Sequence, residues 1–160
     1  MGREAHGGAA DHLLTSLWQK DLDLEGARAR VARLAWLTPV LPLADRDGPG
    51  GVHLKLESLQ RTGSFKLRGA TNRLLTLPEA AAERGVVTCS SGNHGRAVAE
   101  AGRQLGIPTT VCVPRWTDPV KARAIEGAGA HLVWAGETYD EAEERAAAVS
   151  YTHLTLPTKA

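Results

Sequence analysis

The sequence predicts an α/β protein: a parallel sheet with flanking helices. Three observations predict it. After Pro78 the chain alternates helix-patterned and strand-patterned stretches at about 23 residues per unit, as strand–helix–strand crossovers require. A tight polar loop, Ser90 to Gly95, follows the end of one such strand and opens directly into a helix, where parallel sheets place their ligands. The composition is that of an ordinary globular chain: 160 residues, 42% hydrophobic, 23% charged, formal net charge +1.

The elements follow in order. Residues 1–10 carry no periodic pattern and are expected to be disordered. From Asp11 to about Trp36 the pattern is helical, with Leu24, Ala27, Val31 and Leu34 on one stripe. "TPV" breaks that helix, because Pro39 pushes Thr38 into an extended conformation. "DRDGPGG" is a turn cluster, and "VHLKLE" alternates as a strand over Val52 to Glu57. "LQRTG" is a loop, and a helix runs from about Ser64 to Pro78. Beyond it come helix "PEAAAERG", strand "GVVTCS", helix "NHGRAVAEAGRQLG", strand "TTVCVP", helix "DPVKARAIEGAG", strand "HLVWAG" and helix "TYDEAEERAAAV". The strands are expected near 85–89, 109–113 and 131–135, all parallel.

Charge and composition narrow the function. A net charge near zero argues against nucleic-acid and membrane-surface partners, which usually call for a basic excess. No apolar run approaches spanning length. The N-terminal stretch lacks the basic and apolar segments of a signal peptide. Two cysteines, Cys89 and Cys112, without a C-x-x-C spacing, and six scattered histidines give no disulfide framework and no metal motif. A reducing, cytoplasmic setting is expected, with both cysteines as buried, inert thiols.

Two stretches carry chemistry. "TGSFKLRGA" sets Lys66 between Phe65 and Leu67; on spacing alone it also reads as a helix start, with Ser64 as N-cap and Lys66 and Arg68 as surface charges. "TCSSGNHGRAVAEAG" puts a loop with two glycines at a helix N-terminus, where free N–H groups and the helix dipole suit a carboxylate or a phosphate. As a bare pattern it is equally a capping loop without a ligand. It matches neither G-x-G-x-x-G nor a P-loop.

Together the two stretches resemble the fold-type II pyridoxal-phosphate enzymes, specifically the threonine/serine dehydratases and serine racemases. The resemblance runs from about Leu37 to Ala148, through "TPV", "VHLKLESLQRTGSFKLRGA", "GVVTCSSGNHGRAVAEAGRQLGIPTTVCVP" and "VKARAIEGAGAHLVWAGETYDEAEERA". It implies a tryptophan-synthase-β-like fold and pyridoxal 5'-phosphate as cofactor. Lys66 would bind the cofactor aldehyde and then act as acid and base at the substrate α-carbon, its amine desolvated by Phe65 and Leu67. Phe65 would lie against the cofactor. Asn93 would hydrogen-bond its phenolic oxygen. Ser90, Ser91, Gly92 and His94 would grip the substrate carboxylate, and Ser91 matches the second acid/base of racemases. Arg68 is read as structural.

The implied reaction is β-elimination of water from L-threonine or L-serine, giving a 2-oxo acid and ammonia. Serine racemisation is an alternative. So is a dehydratase of hydroxyectoine breakdown, because Arg96 stands where glutamine is common. The family's enzymes are longer. The glycine-rich phosphate loop and the residue facing the pyridine nitrogen have no equivalent here. The resemblance therefore divides the chain into residues 1–77, part of a large cofactor domain, and residues 78–148, a small α/β domain. Back-translated, Val149 to Thr158 resembles the transposon-end adapter of sequencing libraries, so residues 149–160 are expected to be an artefactual tail without a structural partner. Residues 1–77 are expected to expose apolar surface, near Leu54 and Leu56 among other places. The full-length parent is expected to be a homo-oligomer acting on a small amino acid. The competing reading of the fragment is a non-catalytic module that at most binds an anion at the Asn93 loop.

Overall fold

The computed structural model describes residues 22–43 and 51–150, and the backbone of 154–155. The expected disorder of residues 1–10 and the first half of the Asp11–Trp36 helix lie outside the described residues. Helix α1, Leu24–Val31, is the described part of that helix, capped by Asp23, whose side chain accepts from the Gly26 N–H. The stripe is only partly realised: Ala27, Val31 and Leu34 are half-buried, while Leu24 is exposed.

"TPV" is more than a break. Val40–Pro42 forms strand β1, which pairs antiparallel with β2, His53–Lys55, with Leu41 opposite Leu54. A three-residue strand carries too little pattern to be read from sequence; its partner supplies the hydrogen bonds. The strand expected over 52–57 shortens because Glu57–Leu59 winds into a 3-10 turn. Both strands of this hairpin are exposed, and Leu37, Leu43 and Val52 are exposed beside them. Leu54 is exposed as expected, but Leu56 is half-buried.

Helix α2, Lys66–Leu75, begins two residues after Ser64. Phe65, not Ser64, holds the N-cap position, and no side chain caps the helix. The short helix α3, Glu79–Arg84, follows Pro78. Gly85 then turns the chain at φ +85, where a Cβ would stand 2.5 Å from the Pro108 carbonyl oxygen. There the strands begin: β3 Val86–Cys89, β4 Thr109–Val113 and β5 His131–Trp134, joined by α4 Asn93–Leu105 and α5 Pro119–Gly127. Helix α6, Tyr139–Val149, completes the alternation. The three strands are parallel, as expected, and lie in the order β5-β4-β3.

The tail departs from expectation. Leu154–Thr155 forms β6 and adds parallel to the free edge of β3, with Leu154 opposite Val86 and Thr155 opposite Val87. An uncovered strand edge presents a row of unpaired N–H and C=O groups, and a short β-prone segment returning from α6 satisfies some of them. The expectation that these two residues find no partner is overturned.

Side chains alternate across the sheet. Val86 joins Leu67, Ala70, Leu74, Ala97, Val98 and Ala101 in a core shared by α2 and α4. Val111 and Val113 pack with Ala99, Ile125 and Ala128 of α4 and of α5 with its C-cap. Val87, Cys89 and Cys112 face the opposite layer, against Ala142 and Ala146 of α6. The result is a sheet between two helical layers, with α2 stacked on α4. Among the described residues no helix is long and apolar enough to cross a membrane.

Leu67 is fully buried between the two helices. Leu67→Ala should lower the unfolding free energy by about 2–5 kcal/mol, read by urea denaturation, because the α2–α4 seam cannot close over the lost volume.

Candidate active site

Lys66 opens α2 and Asn93 opens α4, so the packing of these two helices sets where both residues sit. The start of α2 is fixed from outside by a polar network. Arg68 makes a two-pronged contact with Glu57, Nε to Oε2 at 2.9 Å and Nη2 to Oε1 at 2.7 Å. The same Nη2 reaches the Trp36 carbonyl oxygen at 3.1 Å and Thr38 Oγ1 at 3.3 Å. Thr38 Oγ1 donates to Glu57 at 2.6 Å, and Lys55 Nζ donates to the Thr38 carbonyl oxygen. Gln60 accepts from the Trp36 N–H at 2.9 Å and donates to its carbonyl oxygen at 3.0 Å. The extended segment at Trp36–Thr38, the hairpin and α2 are thereby tied at one point, which gives Arg68 the structural role expected of it. Hydrogen bonds from Arg68 hold the Glu57 carboxyl below its ordinary value, against a smaller opposing effect of burial.

Lys66 itself is half-buried. Its Nζ lies over the Phe65 ring, 5.0 Å from the centroid, and that ring is 57% exposed. Leu67 does not flank the amine as expected. One residue further along a helix turns a side chain by about 100°, and Leu67 points into the α2–α4 core instead.

The second half of the site grows from the end of β3. Ser90 is buried, and its N–H donates to the Cys112 carbonyl oxygen at 3.1 Å. Its Oγ accepts from the Gly92 N–H at 3.3 Å. Asn93 then starts α4 with no side-chain cap. The two helices that follow differ, since Asp118 caps α5 and Thr138 caps α6, whereas α2 and α3 also begin without a side-chain cap. Among the described residues the N–H groups of Asn93, His94 and Gly95 therefore have no acceptor. Gly95 keeps the loop close, since a Cβ there would stand 2.6 Å from the Ser90 carbonyl oxygen.

His94 links the two halves. Its Nε2 is buried without a hydrogen-bond partner. Burial lowers its pKa below the ordinary 6.5, and the charge of Lys66 lowers it further, so His94 is neutral at neutral pH. A second orphan, Ser64 Oγ, lies two residues before Lys66. Ser91, Gly92 and Asn93 line a recess of about 260 Å³ together with Arg96, Lys121, Ala124 and Ile125. Lys66, Phe65, Ser90 and His94 do not line that recess. The sequence reading singled out neither Arg96 nor Lys121 as a site residue. Arg96 was findable, because it lies one turn beyond Asn93 on the same helix face. Lys121 had no local signal, since its place depends on α5 packing beside α4.

Two outcomes follow. In NMR titrations His94 should titrate below 6.5, and Lys66→Met should raise its pKa only part of the way back, because burial is the larger cause. Arg68→Ala should lower stability by about 2–3 kcal/mol at neutral pH, because it strands the Glu57 carboxylate. The Glu57 contribution is complete above 4.5, the ordinary carboxyl value, and is lost as pH falls through its lower folded value. The penalty of Arg68→Ala should therefore shrink in acid, as denaturation midpoints measured across pH 3–6 would show.

Comparison with known proteins identifies the family. The family model for pyridoxal-phosphate dependent enzymes matches residues 31–155. An L-threonine ammonia-lyase of Thermotoga maritima is 44% identical over 97 residues, covering 61% of this chain and 24% of its own length. A serine racemase of Oryza sativa subsp. indica is 37% identical over 145 residues, covering 89% of this chain and 40% of its own. Maize serine racemase superposes with a TM-score of 0.77 at 31% identity, over 84% of this chain and 43% of that one. The processed form of threonine deaminase isoform 2 from Solanum lycopersicum superposes with a TM-score of 0.77 at 32% identity, over 96% and 42%. This chain thus spans less than half the length of each of these relatives. With its parallel sheet, the helix opened by Lys66 and the uncapped loop at Asn93, the chain belongs to the family of pyridoxal-phosphate dependent enzymes.

Proposed function

We propose that this chain is the lysine-bearing part of a pyridoxal-phosphate dependent ammonia-lyase that eliminates water from L-threonine or L-serine. The observation that carries the reading is the packing of α2, which Lys66 opens, against α4, whose start at Asn93 is uncapped. The residues present fit the cofactor. A primary amine stands beside an exposed aromatic ring, and two buried polar atoms, Ser64 Oγ and His94 Nε2, are left without partners.

Each residue then has a task. Lys66 would hold the cofactor through its amine and would take the proton from the substrate α-carbon. When bound, the pyridine ring of the cofactor accepts the electron pair left at that carbon. Phe65 and the Asn93 amide would help hold the cofactor, the first by packing and the second by donating a hydrogen bond. The free N–H groups of the first turn of α4, with the Ser90 and Ser91 hydroxyls, hold the substrate carboxylate at the positive end of the helix dipole. Neutral His94 borders this pocket without adding a second positive charge. Departure of the β-hydroxyl as water, followed by hydrolysis, gives the 2-oxo acid and ammonia.

Ser91 supports a second reading, serine racemisation. It is half-buried in the loop, next to the α4 N-terminus, and carries a hydroxyl able to return a proton to the opposite face of the α-carbon.

Borohydride reduction of the chain mixed with pyridoxal phosphate, followed by peptide mass spectrometry, should label Lys66 ahead of Lys20, Lys55, Lys121 and Lys159. Equal labelling of all five would refute the assignment. Joined to the C-terminal part of a related threonine ammonia-lyase, the chain should release 2-oxo acid from L-threonine or L-serine, and Lys66→Ala should abolish it. Ser91→Ala should reduce racemisation more than elimination, because elimination removes a proton from one face only.

A further inference from the structure

Cys89 and Cys112 are the chain's two cysteines, and the site described above uses neither. They stand directly opposite one another on the neighbouring parallel strands β3 and β4. Both are unoxidised, with residue exposures of 1% and 0%. Both side chains leave the sheet on the α6 side, into a cluster completed by Val87, Ala135, Ala142 and Ala146. Cys89 Sγ lies 4.0 Å from the Tyr139 carbonyl oxygen, and the Tyr139 side chain also hydrogen-bonds this thiol.

Registered residues on parallel strands send their side chains out side by side, about one strand spacing or 4.8 Å apart. A disulfide needs Cβ atoms about 3.5–4.5 Å apart, so the strands would have to shear to form one. Two metal–thiolate bonds of about 2.3 Å placed end to end cover the same strand spacing without shear. An ion held on the line between two sulfurs needs no third ligand and no pre-formed cavity. Zinc and the harder ions want four or more donors. Among the described residues no group of three or more His, Cys, Asp and Glu could hold a metal.

We propose that Cys89 and Cys112 form a two-thiolate site for a soft d10 ion of the Cu(I) class. Thiolates select such ions over those preferred by oxygen ligands. The step is an exchange without electron transfer: two S–H bonds break, two S–metal bonds form, and two protons leave to solvent. Burial raises both thiols and pushes Cys89 up to about 11, a hydrogen bond with Tyr139 opposing the rise and Cys112 and Glu143 adding to it, while Arg145 pulls Cys112 down. The ion must therefore displace both protons, and its charge cancels one of the two created in the core. Entry requires α6 to move off β3 and β4, so uptake is slow. The bound ion ties the two strand ends directly beneath Ser90.

The test is Cu(I) supplied to the 160-residue chain as its bicinchoninate complex under anaerobic conditions. One ion should transfer per chain, with release of two protons. X-ray absorption should show two sulfur neighbours and no nitrogen or oxygen neighbour. Cys89→Ser and Cys112→Ser, each checked for fold by circular dichroism, should each weaken uptake by about 100-fold or more, through loss of the second, pre-positioned thiolate. No transfer to the unmodified chain overturns the proposal. So does a nitrogen neighbour in the absorption spectrum, or an ion shared between two chains in sedimentation. If a serine variant fails to fold, the coordination measured on the unmodified chain decides alone.

Discussion

The seam between α2 and α4 is the contact on which the site depends. Leu67, Ala70 and Leu74 of one helix meet Ala97, Val98 and Ala101 of the other, with Val86 of the sheet beneath them. Small residues on α4 let the helices approach closely, and close-packed interiors resist sliding. Because Lys66 opens the first helix and Asn93 the second, apolar packing sets the relation between two polar groups that never need to touch. The amine is thus placed by a leucine one position away, turned about 100° around the helix from it.

Around this seam the chain treats its polar groups unequally. Near Arg68 every group is satisfied: guanidinium, carboxylate, hydroxyl, amide and backbone close on one another. A half-buried network of that kind is held in place because breaking one bond strands several others. Near the α4 N-terminus the opposite holds. The cap is missing and His94 Nε2 has no partner. Capping groups are present at α5 and α6, the two helices that follow α4 in the same alternation. Unsatisfied donors gathered at one helix end, beside a tightly tied lysine-bearing helix, form a place built to receive an anion.

Much of this was legible in the sequence. The alternation after Pro78 located three parallel strands to within about two residues, because each is a short apolar run bounded by turn residues. The loop at Asn93 and the lysine at 66 were visible from residue type and position. The features that stayed hidden are non-local. Strand β1 has three residues and exists because β2 lies beside it. The direction of Leu67 depends on where α2 begins, and the missing Ser64 cap shifts that start. Lys121 enters the recess only through the packing of α5 beside α4. The pairing of Leu154–Thr155 depends on an open edge of β3, which local patterning does not report.

The central claim is that Lys66 and the first turn of α4 form one site while the other helix N-termini do not. The most direct measurement is an NMR titration of the isotope-labelled chain with pyridoxal phosphate. The account predicts that the amides of Asn93, His94 and Gly95 and the side chain of Lys66 shift together, at one midpoint, while Asp140 and Glu141 on the capped start of α6 stay still. Shifts at Lys66 alone, or equal shifts at the N-termini of α4, α5 and α6, would contradict it.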